Sequence, residues 1–110
     1  MQLAGGSQVY ERIAELASGE WNAHQNVGLV VGATRPDELA RVREIVGGMF
    51  LLLPGIGAQG GDVAASLESG AGGGLIISSS RAVLYPEEET LQAVRHVALD
   101  TRDLINGHRQ

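Results

Sequence analysis

Phe50-Leu-Leu-Leu53-Pro-Gly-Ile-Gly-Ala-Gln-Gly-Gly-Asp62 is the stretch that decides the fold. Its first four residues are apolar without alternation, which is typical of a strand buried on both faces, as in a parallel sheet. The glycine-rich turn that follows ends at Asp62, an acid suited to begin a helix. The stretch therefore predicts one strand–turn–helix unit of an α/β fold.

Two further apolar runs, residues 27–32 and 75–77, flank this unit along the chain. Each run ends in small residues and is followed by a helical pattern. The strands begin near residues 27, 50 and 75, which is a regular βα spacing. Because right-handed crossovers join such units, the three strands are predicted to be parallel.

Four helices are predicted around these strands. The first precedes them, with Ser7 as its cap and Gly19 at its end, and its apolar residues lie one turn apart. The others begin at Thr34, Asp62 and Pro86, where a hydroxyl, an acid or a proline marks a helix start. The predicted order is therefore α-βα-βα-βα.

This order predicts the C-terminal part of a (β/α)8 TIM barrel, with residues 1–110 forming one partial barrel domain. A whole barrel has about 250 residues, whereas this chain has 110. An open α/β sheet is the alternative. Three parallel strands alone leave both sheet edges unpaired and the barrel-facing side chains exposed, so we expect self-association or folding with a partner.

The composition restricts the chemistry. Eight arginines and no lysine stand against thirteen acids, for a net charge of -5. This balance argues against a nucleic-acid partner and against an anionic membrane. Without cysteine or lysine, the chain itself has no thiol nucleophile, no Cys-type zinc site and no lysine proton donor. We expect no metal, no cofactor and a cytoplasmic location.

Two strand-end turns carry the candidate binding residues. Residues 54–62 bring glycine N–H groups to a helix start, where an anion is favoured, and Gln59 adds an amide. After the third strand, Ser78-Ser-Ser80-Arg81 offers hydroxyls and a guanidinium that can bind phosphate bidentately. Either turn alone is more often an ordinary connection. Their succession favours a phosphate site, since the last two loops of such barrels commonly hold phosphate.

The glycines Gly55-x-Gly57-x-x-Gly60 also match a dinucleotide-binding turn. That fold places an acid about 20 residues further on, where this chain has serines and Arg81. Arg81 would suit the 2′-phosphate of NADP. A non-catalytic phosphate- or nucleotide-binding module, with NADP as one ligand to consider, therefore stays the alternative.

The other charged residues are given structural roles. Arg41, Arg43 and Glu44 are interpreted as a solvated face of the second helix, with ion pairs that each contribute little. His96 is interpreted as a surface residue of the last helix. The acids at helix starts are explained by capping and by the helix dipole, so no pair of carboxylates is predicted to act as acid and base.

Four strings occur in the order seen in the orotidine 5′-phosphate decarboxylase family: residues 28–34, 36–44, 53–62 and 76–82 followed by Tyr85. The chain resembles the longer bacterial-type branch of that family over nearly its whole length, although Ser78 stands where that branch often has Asn. The resemblance implies a (β/α)8 barrel, usually dimeric, that converts orotidine 5′-phosphate to UMP and CO2 without a cofactor.

The resemblance also implies roles for residues of the two turns. Phosphate would be bound by Gln59, Gly60, Ser80 and Arg81, and the substrate would be lined by Pro54, Gly55 and Gly57. The family's catalytic Asp-Lys-Asp-Asp network comes from earlier strands that this chain does not contain. We therefore expect no catalytic residue here, an inactive chain by itself, and a homodimer or association with the missing barrel half.

Overall fold

A computed structural model describes residues 3, 6–32, 35–55, 63–79 and 81–108. Its elements in chain order are helix α1 (Val9–Ser18), a 3-10 helix (Glu20–Asn22), strand β1 (Leu29–Val30), helix α2 (Pro36–Val46), strand β2 (Leu51–Leu53), helix α3 (Val63–Ser69), strand β3 (Leu75–Ile77) and helices α4 (Arg81–Leu84) and α5 (Leu91–Gly107). The predicted order is confirmed. The predicted helix-start residues Thr34 and Asp62 lie outside the described part.

The strands form one parallel sheet in the order β1–β2–β3. Side chains alternate between the faces of a strand, and β2 places Leu51 and Leu53 on the same face, both 0% exposed. They form the core cluster with Ala14 of α1 and with Leu39 and Val42 of α2. The helical layer therefore covers one face of the sheet.

Tyr10 and Trp21 are aromatic residues that the amphipathic pattern of the first helix predicts to pack, and their outcomes differ. Tyr10 packs against the core cluster, as predicted. Trp21 in the 3-10 helix is 56% exposed, so the prediction that it packs is wrong for this chain. The helical pattern around Trp21 ends before this residue, and periodicity gives no information on a side chain outside a regular helix.

α1 begins with a capping box and is tied to α2 by an ion pair. The Gln8 backbone N–H donates to Glu11 Oε1 at 3.0 Å, so Gln8 and not the predicted Ser7 is the cap. The same carboxylate accepts a hydrogen bond from Arg41 Nε at 2.7 Å. Both hydrogen bonds favour the charged carboxylate and so lower the pKa of Glu11, and the bond from the Gln8 backbone has the larger effect.

α5 begins at Leu91 and not at the predicted Pro86. The Thr90 hydroxyl accepts a hydrogen bond from the Ala93 N–H at 3.0 Å, which is an N-cap. The sequence predicts an apolar stripe on this helix from Leu91 to Ile105, but Leu91 is 90% exposed. α5 has no fully buried residue and contacts α3 and α4 only lightly. The last helix is therefore half-docked.

Arg43 is buried, so its interpretation as part of a solvated helix face is wrong. It is 7% exposed. Nε donates to the Gly70 carbonyl at 2.8 Å, Nη1 to the carbonyls of Gly47 at 2.7 Å and Met49 at 2.6 Å, and Nη2 to that of Gly74 at 3.1 Å. One side chain thus joins the ends of α2 and α3 to the segments that lead into β2 and β3.

The glycine-rich segment 70–74 receives this guanidinium. A Cβ at Gly73 would lie 2.8 Å from Arg43 Cζ and 2.8 Å from the Cα of Gly48. Gly72 has a φ of +105°, in the region that favours glycine. The segment is therefore shaped for Arg43, which accounts for part of the high glycine content.

We expect Gly73→Ala to lower the free energy of unfolding by about 1–3 kcal/mol, because the added methyl must displace the guanidinium or the backbone. Urea denaturation followed by circular dichroism measures this change. Gly107→Ala is the matched control, since a Cβ there meets nothing within 4 Å. It should leave stability unchanged or raise it, and equal losses in the two variants would contradict the packing described.

We expect Glu11→Gln to lower the melting temperature at neutral pH. Since hydrogen bonds hold the folded-state pKa of Glu11 below its unfolded value, the carboxylate stabilises the fold at any pH above that unfolded value. This contribution disappears as the pH falls through the folded-state pKa. The melting temperature of the variant should therefore fall less steeply than that of the wild type as the pH is lowered.

Thermal melts of both chains from acid to neutral pH measure the difference. Glu15→Gln is the control, because Glu15 pairs with Arg12 only where both side chains are about half exposed. Its melting temperature should match that of the wild type. An unchanged acid profile in Glu11→Gln would show that the pair between α1 and α2 contributes nothing.

Candidate functional site

The two predicted turns leave the sheet side by side. β2 and β3 are parallel neighbours, with Leu53 opposite Ile77. Residues 54–55 follow β2 directly, and residues 78–79 follow β3. The Ser78 N–H donates to the Leu53 carbonyl at 3.1 Å, so the ladder continues into the second turn. The structure therefore brings together the starts of both turns.

Gly55 fixes how the first turn leaves β2. Its φ of +84° lies in the left-handed region, which glycine adopts without steric cost. Pro54 before it is exposed and Gly55 is half-buried. A side chain at residue 55 would strain the backbone at the point where the chain turns away from the sheet.

Most residues predicted to bind phosphate fall outside the described part. Gln59, Gly60 and Ser80 are among them, and Gly57, which is predicted to line the substrate, lies outside that part as well. Arg81 is described only as the first residue of α4. Their contacts therefore stay predictions. The structure describes the support beneath them, which is the pair of adjoining strand ends.

α4 is the element near this site that sequence reasoning missed. It spans Arg81–Leu84, a single turn of helix that begins at the last residue of the second strand-end turn. Hydrophobic periodicity needs more than one turn to show a helix, so no pattern in the sequence could have revealed it. The second candidate turn is therefore closed by a helix and not by an extended loop.

The described residues hold no cluster that suggests a metal site. Within them, no group of three His, Cys, Asp or Glu side chains is placed to bind a metal ion. His96 pairs with Asp100 at 3.1 Å where both side chains are largely exposed, which confirms it as a surface residue. None of the described helices combines the length and the apolar character that crossing a membrane requires.

The second face of the sheet is an apolar row. Val30, Leu52 and Ile76 lie opposite one another in the strand register. Val30 is 68% and Ile76 is 53% exposed. The prediction of strands buried on both faces is therefore wrong for this chain, whereas the expected exposure of barrel-facing side chains is confirmed. We call these three residues the open row.

A cavity of about 910 Å³ lies on the opposite, helical side of the sheet. It is bounded by α3, by residues 71–74, by β3 and by the end of α5, with Leu67, Leu75 and Ile105 among its lining residues. The half-docked position of α5 accounts for this space.

Known proteins resemble this chain closely over one part of their length. No protein-family profile matches it. It is 58% identical over 110 residues to orotidine 5′-phosphate decarboxylase of Dechloromonas aromatica, covering 96% of this chain and 41% of that protein. The enzyme of the same name from Aromatoleum aromaticum is 54% identical, with 99% and 42% covered. The chain is homologous to the C-terminal portion of orotidine 5′-phosphate decarboxylases. It spans about 41% of the length of these relatives.

Solved structures agree with this assignment. The chain superimposes on Leishmania donovani UMP synthase with a TM-score of 0.86 and 41% identity, covering 99% of this chain and 24% of that one. The OMP decarboxylase structure from the same organism gives 0.83 and 38%, with 99% and 41% covered. The predicted partial TIM barrel is confirmed, and the open-sheet alternative is not supported.

We expect wild-type chains to associate through the open row, and Ile76→Ser to weaken that association. The change removes exposed apolar surface and should alter stability little, because Ile76 is already 53% exposed. Sedimentation velocity over a concentration series measures the effect. Ile13→Ser is the control, since Ile13 is 44% exposed but belongs to α1. A wild-type chain that is monomeric at all concentrations would contradict the expectation.

Proposed function

We propose that this chain supplies the phosphate-binding part of an orotidine 5′-phosphate decarboxylase and acts within a completed barrel that forms UMP and CO2. The homology to the C-terminal portion of enzymes with that name carries the proposal. The adjoining ends of β2 and β3 support it, because they start both predicted phosphate turns at one edge of the sheet. The dinucleotide alternative has no comparable support among the relatives.

Binding and orientation are the tasks of this chain in the proposal. Arg81 would bind the phosphate dianion bidentately, which its planar, permanently charged guanidinium suits. The backbone N–H groups of Gly60 and Ser80 would add donors, and Gln59 would reach from the phosphate toward the base. Binding energy at the phosphate, remote from the reacting carbon, can then orient the substrate for reaction.

The pyrimidine end of the substrate would lie against the start of the first turn. Pro54, Gly55 and Gly57 would line it. Pro54 is exposed where the turn leaves β2, and the positive φ of Gly55 directs the chain away from the strand end. The first turn would thus contact both ends of the substrate, with its glycines allowing close approach of the backbone.

Proton delivery belongs to another part of the barrel. Breaking the bond between the ring carbon and the carboxylate releases CO2 and leaves an electron pair on carbon, which must accept a proton. An arginine, with a pKa above about 12, is a poor donor, and the chain has no lysine. The proposal therefore places the proton donor in the part of the barrel that this chain does not contain.

The partner in this proposal is the rest of the barrel. Its strands would pair with the outer edges of β1 and β3, and its side chains would cover the open row, where Val30 is 68% exposed. The share of the relatives that this chain covers, 41%, leaves ample polypeptide for that task. A cytoplasmic homodimer of the completed barrel is part of the proposal, as is the absence of nucleic-acid or membrane binding by a chain of net charge -5.

Calorimetric titration with UMP tests the binding role. The wild-type chain should bind UMP in competition with inorganic phosphate and should prefer UMP to NADP. Arg81→Ala should weaken UMP binding at least about tenfold, since a hydrogen bond to a charged group is worth about 1.5–3 kcal/mol. Arg95→Ala, an exposed change on α5, is the control. Tighter binding of NADP would favour the dinucleotide module instead.

An orotidylate absorbance assay tests the division of labour. The chain alone should show no decarboxylation, because the proton donor is missing. Co-expression with the N-terminal portion of the Dechloromonas aromatica relative, which this chain does not cover, should restore activity. Turnover by the isolated chain would refute the proposed division.

A further inference from the structure

Arg43 lies at the end of the sheet opposite the candidate site. Its Nη2 donates to the Gly74 carbonyl at 3.1 Å, and that carbonyl also accepts the Leu51 N–H at 3.0 Å. Its Nη1 donates at 2.6 Å to the carbonyl of Met49, shortly before β2. The guanidinium thus shares its acceptor with the first backbone hydrogen bond that joins β2 to β3, which we call the first rung.

Backbone carbonyls compensate the buried charge. The Gly47 and Gly70 carbonyls lie at the C-terminal ends of α2 and α3, where the helix dipole concentrates negative partial charge. Burial lowers the pKa of Arg43, yet an arginine stays protonated at physiological pH. Its planar fork reaches four carbonyls at once, which the single ammonium of a lysine cannot do.

The strands that begin at this rung are short. β2 and β3 each have three residues, and a strand rises about 3.3 Å per residue, so the candidate turns start roughly 10 Å from the rung. We propose that Arg43 is a positioning residue: by fixing where β2 and β3 begin, it holds the two strand-end turns at the spacing that phosphate binding needs.

This inference rests on the proposed function, because the turns that Arg43 positions form the proposed phosphate site. Its geometric part can be measured without any ligand. The backbone amides of Leu53, Gly55, Ser78 and Ser79 sit at the far ends of β2 and β3, and their NMR signals report the arrangement of the turns. Failure of UMP binding and failure of positioning are therefore separate results.

The test compares Arg43→Lys with Arg41→Lys. The first change keeps the charge but removes the fork. The second is the matched control on the same helix, where Arg41 is 47% exposed and pairs with Glu11 and Glu44. Two-dimensional amide spectra, helical circular dichroism and UMP titration are recorded for each chain. Arg43→Ala with added guanidinium ion, and with urea at the same concentration, tests chemical rescue.

Arg43→Lys should keep its helical signal while the amide signals of the four strand-end residues shift and those of α1 stay. Its dissociation constant for UMP should rise about tenfold, because turns that are out of place would lose about one charged hydrogen bond to the phosphate. Guanidinium should return the strand-end signals of Arg43→Ala toward the wild type, and urea should not. Arg41→Lys should change neither the amide signals of the four strand-end residues nor the UMP affinity.

Unchanged strand-end signals in Arg43→Lys, with only a lower melting temperature, would overturn the inference and leave Arg43 a purely stabilising residue. A variant unfolded even at low temperature would overturn it as well, because the effect would then be global. If the wild-type chain does not bind UMP, the proposed function fails, and the amide signals alone then decide the positioning role.

Discussion

A buried cation held by backbone carbonyls is the constraint on which the rest of this structure depends. Arg43 contacts the ends of two helices and the starts of two strands at one end of the sheet. The guanidinium lies so close to Gly73 that a side chain there would collide with it. Leaving a buried polar group without a partner costs about 1–3 kcal/mol, so removing this side chain would disturb several carbonyls together. The ends of β2 and β3 that carry the candidate turns are placed relative to this fixed end.

One face of the sheet is covered by helices, and the other face is exposed. Leu51 and Leu53 are fully enclosed by the helical layer, whereas the open row alternates with them along the same strands. An exposed apolar row of this kind marks an interaction surface, which in the proposal the rest of the barrel covers. The proposed function follows the same division, with anion binding on this chain and proton transfer on the polypeptide that completes the barrel.

The sequence could predict the features that depend on residues close together in the chain. The strand β3 coincides with its apolar run, and the resemblance carried by residues 53–62 names the same enzymes as the relatives of this chain. Arg43 could not be placed, because the carbonyls that bury it belong to Gly70 and Gly74, which are 27 and 31 residues away in the chain. Nothing in the neighbouring residues distinguishes it from Arg41. The start of α5 was missed because the Thr90 cap outweighs the earlier proline.

The loose seating of α5 has a consequence for how the molecule comes apart. A helix without a fully buried residue loses little apolar contact when it separates, so its amides should exchange with solvent well before those of β2, whose ends are enclosed. Exchange at α5 would then report local opening, which takes less free energy than unfolding of the sheet. During synthesis the same helix emerges after the three strands and would settle onto a sheet that is already formed.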